Sequence, residues 1–151
     1  MLRQKLNEAL KQAAKSGDKR ALSTVRLILA ALKDRDIAAR GRGQSDGIGE
    51  DEILEMLQKM VKQRQESIEL YRKGQRDDLV QQEEEEIAVI HRFLPQAMGE
   101  DETAAAVDEV MGELGAESIK DMGRVMATLK ERYPGRMDFS KASAIVKAKL
   151  A

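Results

Sequence analysis

Between residues 50 and 94 the chain has no proline and a single glycine, Gly74. Apolar residues return there every three or four positions: Ile53, Leu57, Met60, Val61, Ile68 and Tyr71 before the glycine, Leu79, Ile87, Ile90 and Leu94 after it. That period lays one stripe along a helix, whereas a half-buried strand would alternate. Two long amphipathic helices joined at Gly74 are expected, folded back as an antiparallel hairpin. Pro95 closes the second, because the residue before a proline is driven out of helical conformation. Two stripe positions are charged, Arg64 and Glu83. The hairpin brings them to comparable depth, so they are expected to form a structural ion pair.

The rest of the chain follows the same rule. A helix is expected over residues 2–15 on Leu2, Leu6 and Leu10, and another over 19–40 with Asp18 as its cap. Leu27 and Ile28 widen the second stripe, which predicts a central helix with neighbours on more than one side. Residues 41–49, GRGQSDGIG, read as a flexible linker. Three shorter helices are expected over 102–114, over 118–133 with Ser118 and Asp121 as a capping box, and from about 138–140 to the end. The fold class is all-α: an N-terminal helical domain over 1–95, with its long hairpin, and a small three-helix domain over 96–151.

Apolar residues make up 42% and charged residues 35% of the chain, with four aromatic residues, no tryptophan and no cysteine. Thiolate chemistry, disulfides and cysteine-based zinc sites are excluded. The first residues lack the apolar core of a signal peptide, and no run suits a membrane span. A cytoplasmic location is the expectation. Nothing assembles a catalytic set. His91 has no partner at metal-ligand spacing, and the glycine loop lacks the Gly-Lys-Ser/Thr ending of a phosphate loop. The four glutamates at 83–86 fan out by about 100° each, so they cannot converge on a metal, and most read as a solvated face. No cofactor is implied.

The net charge of −1 conceals a segmental pattern. Residues 1–49 hold 11 Lys/Arg against 5 Asp/Glu, and residues 50–95 hold 7 against 12. Residues 96–119 have 7 acids and no base, whereas 120–151 hold 8 bases against 3 acids. The last segment contains DMGRVMATLKERYPGRMD. Lys120, Arg124, Lys130, Arg136 and Lys141 gather there, around a helix that breaks at Pro134-Gly135. Such cations suit a phosphate backbone, which gives affinity without base reading. Gly123 weakens its helix, and close packing against Ala142 or Ala144 is the expected compensation, with backbone approach to a phosphate as the alternative.

These segments carry a resemblance. KQRQESIELYRKGQRDDLVQQEEEEIAVIHRFLP (62–95) and KDMGRVMATLKERYPGRMDFSKASAIVKAKL (120–150) resemble the YqeY family, across essentially the whole chain. The most specific marks are Arg64-x-x-x-Ile68, Gly74-x-Arg76-x-Asp78-Leu79, Leu94-Pro95 and Met122-Gly123-x-x-Met126. Met137 and Phe139-Ser140 stand in a turn where that family often has smaller residues. The family is similar to the C-terminal helical and tail region of the aminoacyl-tRNA amidotransferase B subunit. The resemblance implies a non-catalytic accessory protein that binds tRNA or another folded RNA through its tail domain. An adaptor that docks an amidotransferase or synthetase through the hairpin is the rival. Carbon–nitrogen ligase activity with glutamine as amido-N-donor would follow only by ancestry.

Overall fold

The computed structural model describes residues Met1–Ala151 and is helical throughout, with no strand. The helices are α1 (Leu2–Ser16), α2 (Lys19–Gly41), α3 (Glu50–Lys73), α4 (Asp77–His91), α5 (Glu100–Leu114), α6 (Met122–Arg132) and α7 (Phe139–Leu150). A single 3-10 turn, Ile119–Asp121, leads into α6. None is long and apolar enough to cross a membrane. The chain divides into two compact units, Met1–Leu94 and Pro95–Ala151.

In the first unit, Gly17 takes the left-handed conformation (φ 73°) that ends α1, and the Asp18 carboxylate accepts the Ala21 N–H at 3.1 Å to start α2. α3 and α4 turn back on each other at Gly74 and Gln75, the latter at φ 56°. α2 packs against α1, α3 and α4. Leu6, Ile28, Ile53, Met56, Leu57 and Ile90 are sealed from solvent in the main core. Each contributes roughly 1.5–3 kcal/mol by leaving water. Ala13, Ala21, Val25 and Val89 make a smaller cluster where α1, α2 and α4 meet.

Two expectations for α2 and the loop after it are corrected. Leu27 does not widen the buried stripe; it is 48% exposed, as is Ile37 at 55%. Three neighbours leave one side of the helix without a partner. The glycine loop is also fastened rather than free. Asp36, buried in α2, accepts the Ile48 N–H at 2.9 Å and both Arg3 guanidinium nitrogens at 2.6 and 2.7 Å. Arg3 also donates to the Ile48 carbonyl at 2.8 Å. The Arg3 guanidinium, with the Ile48 N–H, holds the Asp36 carboxyl down at about 2. Gly47 crosses this site at φ 83°, and a Cβ there would lie 2.3 Å from Asp36 Oδ1. Position 47 therefore excludes a side chain both by backbone conformation and by space.

The Pro95–Ala151 unit packs α5, α6 and α7 on Val107, Val110, Val125, Leu129, Ala142 and Val146, all fully buried. Ser118 and Asp121 form the capping box, and the Asp138 carboxylate accepts the N–H groups of Ser140 and Lys141 to start α7. Met137, in the α6–α7 turn, is fully buried in this core. Ile119, in the 3-10 turn, is 49% exposed.

Candidate nucleic-acid interface

The five cations of the basic corner fall into two groups. Arg124 bridges to Asp121 at 3.0 Å, one helical turn back. Asp121 already accepts the N–H groups of Glu117 and Ser118 at 3.0 and 3.3 Å. Those backbone donors, with Arg124, hold its carboxyl below the usual range. Arg136 is more firmly committed. Its Nε donates to the Gln96 carbonyl at 3.1 Å, its Nη2 lies 3.4 Å from Glu102, and its own carbonyl accepts the Met98 N–H at 2.8 Å. Gly135, buried at φ 78°, makes the turn that aims it. This arginine ties the start of the unit to the α6–α7 turn.

Lys120, Lys130 and Lys141 form the second group. They sit in the 3-10 turn, the last turn of α6 and the first turn of α7. All three side chains are exposed, and none lies within ion-pair distance of a carboxylate. By contrast Arg132 is bound to Glu113, and Lys149 to Asp108. The unit as a whole holds 8 Lys/Arg and 10 Asp/Glu. Its basicity is thus local, carried by lysines that its own acids leave free.

Gly123 does not pack closely. It is exposed in the first turn of α6, and a Cβ there would meet nothing within 4 Å. The stripe that buries Val125 and Leu129 turns position 123 outward, away from Ala142 and Ala144. The helix-weakening glycine is therefore uncompensated within the fold.

In the first unit, Arg64 does reach across from α3 to α4, but its nearest carboxylate is Glu86. Arg64 Nε lies 2.9 Å from Glu86 and 4.0 Å from Glu83. Arg64 also donates to the Met60 carbonyl at 3.1 Å. Arg20 of α2 lies 3.0 Å from Glu85 and 3.9 Å from Glu86, and Arg72 of α3 lies 3.3 Å from Glu84. Every glutamate of the run 83–86 thus faces an arginine, which corrects its reading as a mostly solvated face. The 100° fan that prevents convergence on a metal is what distributes the four between α2 and α3. Burial and the charge of Glu86 raise the Glu83 carboxyl. That carboxyl lies in the α3–α4 seam beside Arg64, and no nucleophile or acid–base partner is bonded to it. His91 is exposed at the end of α4.

Comparison with known proteins places this geometry in context. The family model described as Yqey-like protein matches residues 3–150. Among similar proteins are those named altered inheritance of mitochondria protein 41, mitochondrial. The protein of Lachancea thermotolerans is 33% identical over 111 residues, 72% of this chain and 57% of the relative. That of Eremothecium gossypii is 35% identical over 112 residues, with 72% and 58% covered. That of Saccharomyces cerevisiae is 31% identical over 87 residues, 58% of this chain and 45% of the relative. The match spans between 45% and 58% of the length of these relatives. Their names also overturn one expectation. The cytoplasmic location inferred from composition is corrected by relatives that are each named as mitochondrial proteins. Composition reports solubility and redox tolerance, and neither distinguishes one reducing compartment from another.

Proposed function

The chain belongs to the YqeY family, and from that premise we propose that it is a non-catalytic accessory protein that binds tRNA or another folded RNA through its C-terminal unit. The observation that supports this reading is the set of free lysines. Lys120, Lys130 and Lys141 are exposed and without an ion-pair partner in a unit where Arg124, Arg132, Arg136 and Lys149 each hold a carboxylate. Lysines on flexible stems reach phosphates as point charges and read no base edge, so the partner is recognised by its folded backbone. Gly123 adds an open stretch of backbone at the start of α6, beside Lys120 and Arg124. Arg136 serves the fold and Arg124 is half-engaged, so the grip rests on the lysines.

The test is a titration of labelled total tRNA at two salt concentrations, with Lys120, Lys130 and Lys141 all changed to Glu. Each neutralised phosphate contributes about 0.7–0.9 to the slope of log affinity against log salt. The triple variant is expected to lose the salt-dependent binding while keeping its helical content. Unchanged affinity in the triple variant, or no binding by the wild-type protein at low salt, refutes the proposal.

A further inference from the structure

The side of α2 left without a neighbour carries an ordered pattern. Lys19, Arg26, Lys33 and Arg40 follow one another at seven-residue intervals and are all exposed. None lies within ion-pair distance of a carboxylate, although Arg40 is near enough to Asp36 to help lower it. Seven residues make just under two turns, so the four cations form a line that steps about 10.5 Å at a time and runs for about 32 Å. Each step falls about 20° short, so the line winds gently round the helix. On the same line, between Lys33 and Arg40, stands the exposed apolar side chain of Ile37; Leu27, also exposed, lies about 100° round the helix from Arg26. Of the neighbouring carboxylates, Asp18 and Asp34 are exposed beside Lys19 and Lys33, whereas Asp36 is buried on Arg3.

We propose that this face of α2 docks an acidic amphipathic helix of a partner protein. Charge complementarity supplies the sign: four unpaired cations ask for carboxylates. The period supplies the shape. A second α-helix repeats its side chains with the same rise, so Asp or Glu at seven-residue spacing meets each cation in turn, and the slow winding matches two helices crossing at a small angle. Ile37 decides between classes of partner. It finds apolar side chains on a helix, whereas a phosphate backbone offers it none, and the backbone's charges recur every 3.4 Å or so along a strand. The face lies outside the α3–α4 hairpin and outside the C-terminal unit. It stands or falls independently of RNA binding by Lys120, Lys130 and Lys141.

The probe is a fluorescein-labelled helical peptide of about 21 residues, long enough to span the row, with Leu and Glu each repeating every seven positions. A second peptide of identical composition has its glutamates moved out of register. Binding to the full-length protein is followed by anisotropy. The registered peptide is expected to bind, and the scrambled one to bind at least tenfold more weakly. Arg26→Glu combined with Lys33→Glu should cost at least tenfold, and Ile37→Ser several-fold. All three positions are exposed, so circular dichroism should be unchanged in each variant. No binding of the registered peptide overturns the proposal, as does equal binding of the two peptides, which would indicate only a diffuse positive field. The proposal is also overturned if total tRNA binds, is lost in the double reversal and is indifferent to Ile37→Ser. That result would make the row a nucleic-acid face.

Discussion

Changing Gly47 to alanine tests how tightly the 41–49 loop is held, and Gly43 in the same loop provides the control. Both glycines have positive φ, 91° at Gly43 and 83° at Gly47. An alanine at either position carries a backbone penalty of about 1 kcal/mol. At Gly43 that is the whole effect, since nothing lies within 4 Å of a Cβ. At Gly47 the new Cβ would stand 2.3 Å from Asp36 Oδ1 and 2.7 Å from its Cγ, so the carboxylate must move. Moving it disturbs the Ile48 N–H bond and the paired bonds to Arg3. Hydrogen bonds to a charged group contribute about 1.5–3 kcal/mol, which brings the expected cost at Gly47 to about 3 kcal/mol. Acid supplies a second arm. The Asp36 carboxyl sits at about 2 in the fold against an ordinary 3.8. A depressed carboxyl gives stability that is fully present above its unfolded value and disappears as pH falls through the folded one. The gap between the two variants should therefore narrow from about 2 kcal/mol near neutral pH toward zero near pH 2. Urea titration read by hydrogen exchange of the α1 and α2 amides reports this unit alone. Equal stabilities for the two variants at neutral pH, or a gap indifferent to acid, would refute the fastening of the loop on Asp36.

Glu86→Gln is expected to cost about 2 kcal/mol, because it removes the nearest partner of Arg64 from a buried position. Glu83→Gln should fall within about 0.5 kcal/mol of wild type, or be slightly stabilising. The raised Glu83 carboxyl means that its charge is held at a cost above its folded pKa, a cost that vanishes as pH falls. Denaturant titrations of the two variants side by side separate these outcomes, and equal losses would restore Glu83 as the main partner. Gly123→Ala is expected to stabilise the C-terminal unit by up to about 1 kcal/mol, since the site is helical, exposed and open. Thermal unfolding checks the gain. A loss instead would mean that the glycine does pack against something.

The helices were legible because their apolar residues keep a 3.6-residue period and their ends carry Asp18, the Ser118–Asp121 box and Asp138. What the pattern could not carry was direction around a helix whose apolar face is wide. Leu27 lies beside Ile28 in sequence, yet one is half-exposed and the other sealed. Only the number of neighbours α2 acquires separates them. Met137 shows the reverse case: it belongs to no stripe, and its burial depends on the turn around Gly135. The basic corner was legible as composition. Its division into bound arginines and free lysines was not, because Arg136 meets Gln96 and Glu102, which are distant in sequence. Likewise a glycine-rich loop reads as loose until Arg3 and Asp36, 33 residues apart, are brought together beneath it. Gly123 misled for a simpler reason. A glycine in a helix has several physical explanations, and propensity alone does not choose among them.

The glutamates of α4 bear on what makes that segment a helix. Four like charges in succession disfavour this helix in an isolated chain, where Glu83 and Glu86 face each other one turn apart. The arginines that relieve the repulsion are far along the chain, with Arg64 22 residues from Glu86 and Arg20 65 residues from Glu85. α1 and α2 meet through a short turn and need no such rescue. α4 therefore owes its helix less to its own residues than to α2 and α3, whose arginines offset the charge of its glutamates. Removing those arginines would tell first on this helix, although none of them belongs to it.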